Sequence, residues 1–137
     1  MSEENVEIVR RVFEATARGD SDAVLGLYDP EVVVDASESS YQDLGIGGIY
    51  RGHEGLRSFF REYSEPWESV EDNCEELIDA GEHVVSVGSS RARGRASGAL
   101  VESRPQYGVW TIREGKVVRV AWFRTREAAL EAAGLSE

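Results

Sequence analysis

Apolar positions at helical spacing open the chain. Val6, Val9, Val12 and Phe13 fall on one stripe, widened by Ile8, with Ser2 placed to cap and Glu3 and Glu4 suited to the positive end of the helix dipole. This predicts a helix running to about Arg18. Gly19 stops it, Asp20 or Ser21 caps a second short helix, and Val24, Leu27 and Tyr28 form its apolar face before Asp29-Pro30 ends the segment. The two make an αα-hairpin. A third helix follows from Leu56, Phe59, Phe60 and Tyr63 at i, i+3, i+4 and i+7, and Pro66 closes it.

Period-two patterns take over elsewhere. Glu31 to Asp35 reads as a short strand, and the Ser- and Gly-rich stretch from Ala36 to Gly52 as a long loop or broken edge strand. Beyond Trp67, strands are expected over Val70 to Asp79, His83 to Arg95, Leu100 to Arg113 and Lys116 to Thr125, separated by hairpin turns. Thr125 then caps a brief helix carrying Ala128, Ala129 and Leu130, with Gly134 as its stop.

Pairing about a Ser97-Gly98 turn sets Val87 against Gly108 and Val85 against Trp110. One face then holds Val85, Val87, Gly108, Trp110 and Ile112. The same parity brings Arg91, Arg93, Glu102, Arg104 and Gln106 onto that face, unless a bulge near Gly88 or Pro105 reverses the alternation, which is the favoured reading. On the last strand Val118, Val120, Trp122 and Arg124 share a side.

Length and composition narrow the class. A chain of 137 residues with 41% hydrophobic and 9% aromatic content is expected to fold as one domain over 1–137. No apolar run is long enough to cross a bilayer. The opening MSEENVEIVRR is acidic, without the basic and then apolar order of a secretion signal, so the expected location is cytoplasmic. A formal charge of −11 repels polyanions and argues against nucleic acid as partner. Cys74 is the single cysteine, and with two separated histidines it makes no transition-metal site. The run LGIGGIYRG lacks both the G-x-G-x-x-G spacing and a P-loop lysine. Arg91 to Arg95 reads as a solvated or dimer-facing edge.

The series VEIVRRVFEATARGDSDAVLGLYDPEVVVD, YRGHEGLRSFFREY, ELIDAGEHVVSV and VWTIREGKVVRVAWFRTREAALEAAGL resembles the nuclear-transport-factor-2-like superfamily, specifically its SnoaL-like (polyketide cyclase-like) members, over nearly the whole chain. The resemblance implies an α+β fold: a cone-shaped α+β barrel with a strongly curved antiparallel sheet wrapped around three N-terminal helices, and a short C-terminal helix. It also implies an apolar pocket inside the cone and a homodimer formed through the sheet. The fold hosts cyclases, isomerases, dehydratases and epoxide hydrolases, so it names no activity.

Candidate chemistry starts at Asp35. In the ketosteroid isomerase branch, which DPEVVVD resembles, an aspartate ending this strand is the general base, and the match falls on Asp35. Burial beside a cavity would raise its pKa towards useful proton transfer; an aspartate there also commonly caps a turn or faces solvent. The oxyanion donors of that branch fall on Val12 and Gly108, which cannot donate, leaving Tyr28, Tyr50, Tyr107 and Trp110 as replacements if they point inward. Arg124 is a candidate partner for Asp35 or an anionic group, against a wet position at the strand end. Tyr28, Tyr50, Phe59, Trp110, Val120 and Trp122 are expected to line the substrate pocket. His53 and His83 read as surface residues, and the acidic surround of Cys74 disfavours a thiolate.

The expected function is binding of a small apolar or polycyclic molecule, with acid–base isomerase, cyclase or hydrolase chemistry that needs no cofactor or metal. The alternative is a non-catalytic ligand-binding or dimerisation module.

Overall fold

The computed structural model describes residues 2–39, 48–65, 67–95, 98, 100–102 and 106–135. Helix α1 spans Ser2–Arg18 and α2 spans Ser21–Leu27, joined through Gly19 at φ 70°, a left-handed turn that glycine enters at little cost. Asp20 caps α2 by accepting from the Ala23 N–H at 3.2 Å. Tyr28 is not on the α2 face: it opens strand β1, Tyr28–Glu38. The correction follows from Pro30, which pushes Asp29 out of the helical region and keeps the chain extended.

Of the stretch 36–52, expected as a long loop or a broken edge strand, the described parts are largely sheet, with β2 at its edge. β1 continues to Glu38, and β2, Ile49–Arg51, pairs antiparallel with it through Val34–Tyr50 and Asp35–Ile49. The intervening 40–47, including Tyr41, lies outside the described residues, as does Pro66. Helix α3, Gly52–Ser64, carries the predicted stripe, with Leu56 and Phe59 buried.

The rest is β3, Trp67–Ala80; β4, His83–Gly94; β5, Leu100–Glu102; β6, Gln106–Arg113; β7, Lys116–Phe123; and helix α4, Arg126–Ala132, capped by Thr125. The strand order is β2-β1-β7-β6-β4-β3, with β5 against β4. The sheet is mixed, because β1 runs parallel to β7. It is also open, ending on β2 and β3, rather than a closed barrel. Between β1 and β7 the chain runs through β2, α3 and the β3–β6 strands, a long crossover of the kind that lets two strands pair in parallel.

Register sets which residues face inward. Ser86 pairs with Gly108 and Val84 with Trp110, one residue away from the expected pairing of Val87 with Gly108. The β4–β5 and β4–β6 pairings differ in register by one residue, and Pro105 lies outside the described residues. A second shift lies on β3 between Cys74 and Glu76, opposite Gly88. The inner face of β4 is therefore Val84, Ser86, Gly88, Ser90 and Ala92, while Arg91 and Arg93 are exposed on the other side. On β7 a shift next to Ile112 turns Val117 inward along with Val120, in place of Val118.

Two apolar clusters result. Inside the curve, Val9, Val12 and Ala15 of α1 and Leu56 and Phe59 of α3 pack on Val32, Val34, Val84, Trp110, Val117 and Val120. Outside it, Ala129, Leu130 and Ala133 cover Val85 and Val109. No helix is long and apolar enough to cross a membrane.

Candidate functional site

The helices do not fill the curve of the sheet. Between α1, α2, α3 and the inner faces of β1, β3, β4, β6 and β7 lies a cavity of about 680 Å³, large enough for a small organic ligand. Its wall is aromatic: Phe13, Tyr28, Phe59, Phe60, Trp110 and Trp122 all line it. Trp110 anchors this wall, edge-on to Phe13 at 5.6 Å and to Trp122 at 5.7 Å between ring centroids.

Gly108 makes that packing possible. A Cβ there would lie 2.8 Å from Ser86 Oγ, 2.8 Å from Trp122 and 3.0 Å from Trp110 Nε1. The vacated space holds a buried hydrogen bond in which Trp110 Nε1 donates to Ser86 Oγ at 2.8 Å. Gly108 thus makes room for the indole.

Polar groups converge on the β3 side. The Tyr63 hydroxyl donates to Asp72 Oδ1 at 3.0 Å, and both residues line the cavity. Asp72 pairs with Ser90 across β3 and β4, whose inner-face position puts the carboxyl towards α3. Asp72 is solvent-exposed where it lines the cavity, although protein atoms crowd its surroundings. Burial raises the Asp72 pKa, and the Tyr63 hydrogen bond only partly opposes it. Burial and the Asp72 charge push the Tyr63 phenol up as well. A carboxyl so placed is suited to taking and returning a proton. Arg57 on α3 adds an exposed guanidinium at the rim.

The expected site residues divide. Tyr28, Phe59, Trp110, Val120 and Trp122 line the cavity. Tyr50 packs edge-on against Phe59 at 5.4 Å and donates to Glu62 at 2.8 Å, outside the lining. Asp35 sits on the opposite face of β1 from the buried Val34 and Ala36. Its Oδ1 accepts from the Ser37 N–H at 3.0 Å and the Ser37 hydroxyl at 2.5 Å, and its Oδ2 pairs with Arg119 at 3.0 Å. Its side chain is 18% exposed. Burial alone would raise its pKa; the two Ser37 donors and Arg119 together outweigh that and lower it. Arg124 is exposed beyond the end of β7 and does not line the cavity.

The histidines have structural partners: His53 Nε2 lies 3.0 Å from the Tyr28 carbonyl, to which it must donate, and His83 Nδ1 lies 3.0 Å from Thr111 Oγ1. Among the described residues no cluster of three or more His, Cys, Asp or Glu is disposed to hold a metal ion.

Asp72 and Tyr63 are what sequence reasoning missed. Asp72 stands in the acidic run VEDNCEE, which reads as a solvated edge. The alternation Val70, Asp72 was the available signal, since it puts the carboxyl on the same face as an apolar residue.

Known proteins place the fold. TerC, co-crystallised with polyporic acid, is 22% identical, with 96% of this chain and 98% of that chain covered and a TM-score of 0.77. An NTF2-like protein of unknown function from Burkholderia pseudomallei is 23% identical over 93% and 95% of the two chains, TM-score 0.76. A putative SnoaL-like polyketide cyclase from Jannaschia is 21% identical over 96% and 92%, TM-score 0.74. No curated protein matches by sequence. The SnoaL-like domain model matches residues 9–120, most of the chain and every wall of the cavity, and the protein belongs to that family.

Proposed function

We propose that the cavity binds a small, mostly apolar molecule with an aromatic or polycyclic body, and that Asp72, held by Tyr63, transfers a proton on it without a cofactor. The Tyr63–Asp72 hydrogen bond at the wall of an aromatic cavity carries this reading. The raised Asp72 pKa supports it, because a base with a pKa moved towards neutral keeps more driving force for abstraction at working pH. TerC, of similar fold, is seen with polyporic acid, which supports an organic ligand of this kind. A homodimer through the outer sheet face belongs to the same reading, supported by Ile49, an apolar side chain 51% exposed there. So does a reducing, cytoplasmic setting, supported by the single cysteine.

The test is exchange. Wild type and Asp72→Asn are incubated in deuterium oxide with aryl ketones bearing an acidic C–H, and deuterium uptake is followed by NMR. Uptake above the buffer rate in wild type, lost in Asp72→Asn with binding retained, is expected. Binding without exchange removes the catalytic part and leaves the second reading, a non-catalytic ligand-binding module. One observation favours that second reading: Asp35, the aspartate matching the isomerase base, is engaged with Arg119 away from the cavity.

A further inference from the structure

The cavity has a second polar feature on its aromatic wall, on other strands than Asp72. Tyr28 is 3% exposed and lines the cavity. Its backbone is engaged, with the carbonyl near His53 Nε2, but its hydroxyl makes no hydrogen bond among the described residues. Burial is the only influence on the phenol, and it raises the pKa far above the usual tyrosine range, so the group stays a protonated donor. The hydroxyl is not among the fully buried polar atoms left without a partner, so it keeps contact with the cavity space, where a ligand acceptor would meet it.

Ser86 is a second hydroxyl lining the cavity. Its side chain is buried, and its oxygen accepts from Trp110 Nε1 at 2.8 Å. A hydroxyl has one hydrogen to give and room for two acceptances, and no acceptor for the Ser86 hydrogen is found among the described residues. Tyr28 and Ser86 both flank Trp110, the first with ring centroids 6.4 Å apart and the second through the hydrogen bond. The acceptance from the indole polarises the serine O–H and strengthens it as a donor.

We infer that the Tyr28 and Ser86 hydroxyls form a donor subsite for a ligand oxygen, so that the cavity selects aromatic molecules carrying a carbonyl or phenolic oxygen over the plain hydrocarbon. The inference rests on the proposed ligand-binding role of the cavity but not on proton transfer by Asp72. Two donors and no cation at this wall fit a neutral or enolic oxygen. A ligand carboxylate instead meets Arg57 at the rim.

Calorimetric binding of naphthalene and 2-acetonaphthone to wild type, Tyr28→Phe and Asp72→Asn tests it. Wild type is expected to bind the ketone about tenfold tighter than the hydrocarbon, the worth of one good buried hydrogen bond. Tyr28→Phe, which fills the same space, is expected to keep naphthalene affinity and lose most of the ketone preference. Asp72→Asn is expected to keep the preference. Equal ketone preference in wild type and Tyr28→Phe overturns the subsite while leaving the ligand-binding reading intact. Loss of preference in Asp72→Asn alone assigns the oxygen to Asp72 and overturns it too. Failure of both compounds to bind wild type defeats both readings together.

Discussion

Trp110 Nε1 donates to Ser86 Oγ across the gap that Gly108 leaves in β6. Three strands meet there: β4 supplies the acceptor, β6 the indole and the gap, and β7 the Trp122 ring that closes over it. The wall of the cavity depends on all three at once.

Gly108→Ala is therefore expected to destabilise the protein. The added methyl would stand 2.8 Å from Ser86 Oγ and from a Trp122 ring carbon, and neither indole can move without disturbing the other. Overpacking of this kind costs about 1–3 kcal/mol. Ser86→Ala is expected to cost a similar amount by a different route, stranding a buried N–H worth about 1–3 kcal/mol. Urea unfolding followed by tryptophan fluorescence measures both, and an unchanged midpoint for Gly108→Ala would contradict this packing.

Much of this arrangement was legible in the chain, and the failures have physical causes. The α3 stripe was clear because Leu56, Phe59 and Tyr63 repeat at helical spacing over two turns. Trp110 and Trp122 were placed on the inner face by alternation along their own strands. Cross-strand register was not legible: the β4–β6 pairing is offset by one residue from both the β4–β5 pairing and the expected one, which exchanged Val85 and Val87 for Val84 and Ser86. Val32, Val33 and Val34 hid the parity of β1, since three like residues in a row do not say whether Asp35 follows an inward or an outward side chain. The Tyr63–Asp72 contact joins a helix to a strand across a turn, so no periodic pattern announces it.

Asp35 and Arg119 form a surface ion pair, and removing it is expected to matter little. Arg119 is 47% exposed, so water screens the pair, and exposed pairs contribute about 0.2–1 kcal/mol. Asp35→Asn should lower stability by less than about 1 kcal/mol at pH 7 and leave ligand affinity unchanged. The folded Asp35 pKa lies below its unfolded value, so the contribution is present above the ordinary carboxylate pKa and lost as pH falls through the folded one. A large fall in ligand affinity on Asp35→Asn, measured by calorimetry, would return this residue to the site.

Cys74 should be a slow nucleophile. Burial raises its thiol pKa, while the Glu76 carbonyl that accepts from it, at 3.8 Å, and distant Arg10 only partly offset this. At neutral pH the thiolate fraction is small. Alkylation by iodoacetamide in the folded protein is expected to run well below the rate in urea, and equal rates would contradict the burial.

Asp72 gives the sharpest pH signature. Its pKa is raised in the folded protein, so between the ordinary aspartate value and the folded one, the folded state holds more protons than the unfolded state. Stability must then fall as pH rises through that window, the opposite slope to that of Asp35. Above the window the carboxylate is ionised against a burial cost that the Tyr63 hydrogen bond only partly offsets. Asp72→Asn keeps an acceptor oxygen for Tyr63 but cannot ionise. It is expected to be more stable than wild type at pH 7, with the difference shrinking on acidification towards the ordinary aspartate pKa. Thermal melts of both proteins across pH 4 to 8 measure it. A difference that grows on acidification would mean that the folded protein favours the ionised Asp72, leaving a carboxylate too comfortable to act as the proposed base.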